Sequence, residues 1–299
     1  MQIAITGSSG FIGTHLVREC TRRGWSVIGL DVAPPAGDDQ DLQFRQWDCM
    51  TDPPPDLSGC DATFILSQSP HYRQFPEQAP HLWGVNVLGT AKVVEAAAAA
   101  DVGWLFLAST GSVYVPSLEP LDEEAPTRRT DPYAASKLAA EDLVALYPGN
   151  ATSGRFFTVY GPGQENRAVP GIIDRVQTGQ AVSLSPVQGE EETLGLRISI
   201  ALADDVATRL ADMAALAGEG TPMPDILNIA PPTAASIRSI AKAAGTALGI
   251  EPVFEVTDSM REGDFIAQTS RLEAFLPGQW TSELDGVART INEAASSVS

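Results

Sequence analysis

Short runs of aliphatic, aromatic and β-branched residues alternate along the first half of the chain with longer stretches of helical periodicity. Ile3–Thr6 reads as a strand, followed by a Gly-rich turn and a helix over Phe11–Arg23. Further strands are expected at Ser26–Asp31, Leu42–Trp47, Ala62–Leu66, Trp104–Ser109 and Gly154–Val159, and helices at Gln78–Ala100 and Asp131–Tyr147. Strand and helix in alternation predict an α/β fold, a parallel sheet covered by helices on both faces. Asp131 suits the cap of its helix, Pro132 the first helical position, and Pro148-Gly149 the stop. Beyond about residue 164 the pattern loosens. A short helix is expected at Gly171–Gln180, longer ones at Leu202–Ala217 and Ser236–Leu248, and a late strand at Ile226–Ile229. Ala33–Asp41 and Pro53-Pro54-Pro55 read as loops.

Composition narrows the classes. With 43% hydrophobic and 19% charged residues among 299, the chain is globular rather than disordered. A net charge of −19 repels phosphate backbones and argues against nucleic-acid binding. No run of 18 apolar residues is present, so no membrane span is expected. The start, Met1-Gln2-Ile3-Ala4-Ile5-Thr6-Gly7, lacks the features of a secretory leader, and a cytoplasmic location is expected. Cys20, Cys49 and Cys60 read as reduced thiols. Neither they nor His15, His71 and His81 have metal-ligand spacing, and no metal centre is expected.

The first candidate chemistry is the turn Gly7-Ser8-Ser9-Gly10-Phe11-Ile12-Gly13, between a strand and a helix. Gly7 permits a tight turn, Gly10 lets backbone approach a pyrophosphate, and Gly13 lets the helix pack closely on the strand. Phe11 and Ile12 open the helix, whose free N–H groups and partial positive charge favour phosphate. Asp31 ends the next strand, 18 residues beyond Gly13. A carboxylate there accepts hydrogen bonds from the ribose of an adenine dinucleotide and repels a 2′-phosphate, and no arginine follows in Val32-Ala33-Pro34-Pro35. NAD is therefore expected rather than NADP. The plainer alternative is a solvated carboxylate at a strand end.

A second constellation is Tyr133-Ala134-Ala135-Ser136-Lys137, which puts Tyr133 and Lys137 one helical turn apart on one face. A phenol ordinarily ionises near pH 10, so a tyrosine base working at pH 7 needs about 4 kcal/mol of help. An ammonium about 4 Å away supplies that order of energy. The chain has only three lysines, Lys92, Lys137 and Lys242, so the pairing is seldom accidental. A hydroxyl partner is available after the fifth strand, in Ser109-Thr110-Gly111-Ser112-Val113-Tyr114, where strand ends face a ligand crevice.

Together these residues resemble the extended short-chain dehydrogenase/reductases, the NAD-dependent epimerase/dehydratase family. The likeness continues through Asp48, Asn86-Val87-Leu88-Gly89-Thr90, the stretch from Arg155 to Gly163, Asp204-Asp205-Val206-Ala207, Leu227-Asn228-Ile229 and Arg261-Glu262-Gly263-Asp264. It implies a Rossmann doubly wound parallel sheet over 1–164, with segments near 200–230 returning to it. A smaller mixed α/β substrate lobe would span 165–299. It further implies that Tyr133 acts as acid/base, that Lys137 binds the nicotinamide ribose and the tyrosine, that Thr110 is the family's hydroxyl, and that Asp48 contacts adenine. Asn86, Thr158, Arg197 and Arg261 fall at or near substrate-contacting positions, Arg261 where UDP-galactose 4-epimerases hold a nucleotide-sugar phosphate; for the arginines a structural pair with a carboxylate is an equal alternative. In the family the helices at 78–100 and 131–147 pair with their copies, so a homodimer is expected. Gly111-Ser112 stands where the family's dehydratases carry Asp-Glu, and Thr158 replaces a usual asparagine. Ser67-Gln68 replaces a usual Ala-Ala beside the nicotinamide.

The function this implies is oxidation of a secondary alcohol on a sugar or nucleotide-sugar by hydride transfer to NAD, with epimerisation as the outcome. Two alternatives stay open. One is an NAD-dependent dehydrogenase or reductase of a non-nucleotide alcohol. The other is a non-catalytic NAD-binding protein, which would need the glycine turn but not the Tyr-Lys pair.

Overall fold

The computed structural model describes residues 1–35, 42–165, 167–190 and 192–296. The later part of the loop expected at Ala33–Asp41 lies outside these. Two compact units are present. Unit 1 comprises Met1–Val113, Pro126–Phe156 and Ala207–Leu227. Unit 2 comprises Tyr114–Ala125, Phe157–Val206 and Asn228–Ser299.

In unit 1 the apolar runs become β1 (Gln2–Thr6), β2 (Ser26–Asp31), β3 (Leu42–Gln46), β4 (Ala62–Ile65), β5 (Trp104–Thr110) and β6 (Asn150–Phe156). With β11 (Ile226–Ile229) they form a seven-stranded sheet in the order β11-β6-β5-β4-β1-β2-β3. The pairings from β3 through β6 are all parallel. Every residue of β5 is buried, as a central strand covered on both faces requires. The order reverses between β1 and β4, and at such a switch point the loops diverge and leave a crevice at the strand ends. Helices α1 (Phe11–Arg22), α2 (Ala79–Trp83), α3 (Gly89–Ala99) and α4 (Pro132–Val144) accompany the strands. One core packs Ile28, Leu30 and Ile65 with Val93, Ala97, Leu105, Leu107, Ala140 and Val144.

Four expected elements differ, one being the helix expected at Gly171–Gln180, which runs over Ala168–Gln177. The helix expected over 78–100 is three pieces, because a π-helical turn at Gly84–Leu88 separates α2 from α3. The extra residue of that turn carries Asn86 inward, to 2% exposure. The helix begun at Asp131 stops at Val144, three residues short of expectation. The chain turns there, with Leu146 N–H donating to Leu143 and Tyr147 N–H to Val144, and the Tyr147 hydroxyl donates to Val102 O. Asp131 caps the helix as predicted, accepting from Ala134 N–H at 2.8 Å, with Pro132 first. The single strand expected at Gly154–Val159 is two, β6 and β7 (Thr158–Tyr160), which belong to different sheets.

Unit 2 has its own core. Helices α5 (Ala168–Gln177), α6 (Ile237–Leu248) and α7 (Glu283–Ser296) contribute Val169, Ile172, Ile240, Ala244 and Val287 to it. Among the described residues three two-stranded sheets supply the rest of the framework: β7 with β10 (Ile200–Leu202), β9 (Arg197–Ile198) with β12 (Ala235–Ser236), and β8 (Val182–Leu184) with β13 (Phe254–Val256). Gly171 lies exposed inside α5, and a Cβ added there meets nothing within 4 Å. Gly171→Ala is therefore expected to stabilise the protein by about 1 kcal/mol, read as a higher denaturation midpoint. An unchanged or lower midpoint would contradict this account of α5.

Candidate functional site

The turn after β1 is shaped by close approach. Gly7 has φ +73°, a left-handed conformation that glycine alone adopts cheaply. Its N–H donates to Leu30 O at 2.8 Å and its carbonyl accepts from Gly10 N–H at 3.1 Å. A Cβ on Gly13 would stand 2.1 Å from that same carbonyl oxygen, so helix and strand meet too closely for any side chain. Gly10 precedes α1 in extended conformation, no side chain caps the helix, and its first turn has no acid. The start of α1 thus keeps unscreened N–H groups at Phe11 and Ile12, suited to an anion. The Asp31 carboxylate accepts from Ser9 N–H at 3.0 Å and Ala33 N–H at 3.2 Å, which fixes it beside the turn. Asp31 O accepts from Trp47 N–H, placing Asp48 on the neighbouring strand end, where its carboxylate accepts from Met50 N–H at 2.8 Å. A tight glycine turn, a bare helix start and a fixed carboxylate on the next strand are the donor and acceptor set that an adenine dinucleotide needs.

Tyr133 and Lys137 lie in the first half of α4. The Tyr133 hydroxyl donates to Gln68 Oε1 at 3.0 Å, and its ring centroid lies 5.0 Å from that of Tyr72. Lys137 is 2% exposed and its ammonium donates to Ala108 O at 2.8 Å, at the C-terminal end of β5. Burial pulls Lys137 down to about 8, and the charge of Glu141 partly opposes the fall. Two residues beyond Ala108, the buried Thr110 accepts from Ser112 N–H at 3.1 Å.

This lowered proton affinity makes stability depend on pH. The folded protein releases the Lys137 proton near pH 8 and the unfolded chain near 10.5. Below pH 8 both states carry the charge, and burial costs the folded state about 3 kcal/mol. Between 8 and 10.5 the unfolded state binds more protons, so the cost disappears as pH rises. The stability of Lys137→Met relative to wild type is expected to fall across that window, measured by denaturant unfolding. A difference that stays flat would show that Lys137 is not buried as an ammonium.

Asn86 is already engaged within unit 1. Its Nδ2 donates to Ser136 Oγ at 2.9 Å, its Oδ1 accepts from Ser69 N–H at 3.0 Å, and Ser136 Oγ donates to Tyr133 O at 2.8 Å. The residue therefore ties the π-helical turn to the first turn of α4. In unit 2, Thr158 opens β7 half-buried. Arg197 and Arg261 meet on the fully buried Asp264, Arg197 through its N–H and Nε at 2.8 Å each, and Arg261 through Nε at 3.0 Å. Arg261 also donates Nη1 and Nη2 to the Glu190 carboxylate at 3.0 and 2.8 Å. The guanidinium read as a phosphate or carboxylate partner is held by two carboxylates of the chain itself.

Sequence reading did not single out Glu141 or Ser69, and it gave Gln68, Ser109 and Arg155 no role in a network. The one signal was the spacing of Glu141, one helical turn after Lys137 and so on the same face. Cys20 and Cys49 are pushed up to about 12 and about 11, and Cys60 upward, by burial, which disfavours the reactive thiolate at all three. Among the described residues no helix is long and apolar enough to cross a membrane.

Fold and glycine turn define a Rossmann-type dinucleotide-binding protein carrying a Tyr-Lys pair. The model of the NAD dependent epimerase/dehydratase family matches residues 3–230, and the chain belongs to that family. The UDP-glucose 4-epimerase of Mycolicibacterium smegmatis is 29% identical over 193 residues, 58% of this chain and 61% of that protein. The chain spans about 60% of the length of the first curated relatives it matches. Among solved structures, MoeE5 in complex with UDP-glucuronic acid and NAD superposes with a TM-score of 0.80 at 27% identity, covering 99% of this chain and 100% of that one. The UDP-glucose 4-epimerase of Thermus thermophilus in complex with NAD gives 0.76 at 25% identity, covering 99% of each chain.

Proposed function

We propose that the chain is an NAD-dependent sugar epimerase acting on a sugar or nucleotide-sugar. It would oxidise a secondary alcohol and return the hydride to the opposite face of the ketone. The observation that supports this reading is a buried Lys137, its ammonium on Ala108 O near the end of the central strand, one helical turn after Tyr133. NAD, when bound, supplies the hydride acceptor. The turn Gly7–Gly13 and the start of α1 would hold its pyrophosphate, Asp31 its adenosine ribose, and Asp48 its adenine. Tyr133 takes the proton of the substrate hydroxyl, and Lys137 offsets the phenolate charge and orients the nicotinamide ribose. Thr110 holds the substrate oxygen in line with Tyr133. Asn86 would contribute to substrate placement by fixing the start of α4.

One observation favours a second reading, dehydrogenation of a non-nucleotide alcohol. Arg261 is held by Glu190 and Asp264, which leaves its fork committed to carboxylates rather than to a diphosphate. The pair Gly111-Ser112 supplies no acid for eliminating water, which speaks against a dehydratase. The test is incubation of purified protein with NAD and a panel of sugar nucleotides, free sugars and sugar acids, followed by chromatography and by absorbance of reduced nicotinamide. Epimeric product without accumulating NADH supports the first reading. Net NADH supports the second, and neither with any substrate would sink both. The proposal includes a cytoplasmic homodimer built through α3 and α4. Exposed Trp83 and Leu88 beside α3 support the pairing, and sedimentation at several concentrations tests it.

A further inference from the structure

We propose that Glu141 is a positioning residue for Lys137, a buried counter-ion fastened to two strands so that the lysine keeps both its place and its charge. The proposal rests on the Tyr133–Lys137 reading above and extends it to residues that touch neither reactant.

Glu141 is the hub of the geometry, with Lys137 one helical turn before it. The Glu141 carboxylate accepts from Arg155 Nε at 3.1 Å and Nη2 at 2.7 Å, Arg155 lying on β6, and from the hydroxyl of Ser109 on β5. Lys137, Glu141, Arg155 and Ser109 are all 7% exposed or less. Glu141 therefore pins α4 to β5 and β6 one turn beyond the lysine. The strand it grips at Ser109 also presents Ala108 O to the lysine. Lys137 and Glu141 share one face of α4 in this nearly dry space, and a negative charge forming on Tyr133, one turn earlier on the same helix, faces the same lysine.

Other charged groups near α4 are accounted for. The elements packed against it are β5, β6, α2, α3, the π-helical turn and the turn Gly111–Val113. Their ionisable residues are Arg155, His81, Lys92 and Glu95. His81 bonds Ser69, Lys92 donates to Cys49 O and Asp52 O, and Glu95 is exposed. On α4 itself Asp142 is exposed and pairs with Arg129. Glu141 is the one buried anion among these groups. A glutamate that served only to hold strands and helix together would leave the lysine's proton affinity unchanged when replaced by its neutral isostere.

The experiment follows the ¹³Cε signals of the three lysines by NMR in protein without NAD or substrate, Lys137 being assigned by its loss in Lys137→Met. In Glu141→Gln, which removes the anion and keeps its shape, the Lys137 midpoint is expected to fall at least tenfold in proton affinity. In Glu141→Asp, which keeps the charge but retracts it by one methylene, a fall of at least twofold is expected, with Ser109→Ala close to wild type. If Glu141→Gln does not fold, Glu141→Asp decides alone. An unmoved Lys137 midpoint in a folded variant overturns the proposal. Loss of fold in both overturns it too, because it would make the cluster a structural tie only. None of these readouts requires turnover, so failure here is separable from failure of the epimerase reading.

Discussion

Tyr133→Phe is expected to lower kcat by about 10²- to 10⁴-fold while NAD affinity stays within about threefold of wild type. The substitution removes one oxygen and keeps the ring, so its contact with Tyr72 at 5.0 Å and the packing of α4 persist. Lost are the proton carrier and the hydrogen bond to Gln68 Oε1. One neutral hydrogen bond bounds the effect on binding, whereas the missing base acts on every turnover. The measurement pairs steady-state turnover on whichever panel substrate responds with NAD titration by calorimetry. Turnover within threefold of wild type would remove Tyr133 from the mechanism. Equal loss of NAD binding would make the residue structural.

The other large effect belongs to Gly13. Gly13→Ala places a methyl group 2.1 Å from Gly7 O and 2.9 Å from Gly7 C and Ser8 C. All three are backbone atoms, so no rotamer change relieves the clash, and α1 must back away from β1. The turn cannot move freely with it, because Gly7 is bonded to both Leu30 O and Gly10 N–H. Overpacking of this kind costs about 1–3 kcal/mol or more, which lowers the melting temperature by several degrees in a protein of this size. The displaced helix start should weaken NAD at least tenfold. Gly10→Ala is the instructive contrast. Its methyl meets only Gly7 O, at 3.2 Å, so the protein without cofactor should melt nearly as wild type and still lose NAD. A Gly13→Ala protein that melts and binds as wild type would refute the close-packing account of the turn.

The cofactor half of the site was legible because its requirements are local. Gly7, Gly10 and Gly13 are demanded by turn geometry within seven residues, and Asp31 by the length of one helix and one strand. The Tyr133–Lys137 pair was legible for the same reason, since helical spacing alone puts both on one face. Asn86 was less so. A π-helical turn adds one residue to the helix and rotates the residues beyond it, which hydrophobic periodicity does not register. Only the folded chain shows Asn86 turned onto Ser69 and Ser136. Arg261 shows the opposite limit. Its motif left a phosphate contact and a pair with a carboxylate equally open, because the partner that decides, Glu190, lies 71 residues away in sequence and reaches it only through the fold.

The amino-acid order alone determined the alternating α/β architecture, the glycine turn, the capped helix at Asp131 and the identity of the Tyr-Lys pair. Each depends on neighbours within a few residues, where sterics and periodicity act without help from the rest of the molecule. Tertiary structure decided the surroundings of those groups. Lys137 is buried on Ala108 O, Glu141 is clasped by Arg155 and Ser109, and Arg261 is answered by Glu190 and Asp264. Those are contacts between distant segments. Their strength depends on how much water the packing excludes, a quantity that no local pattern encodes.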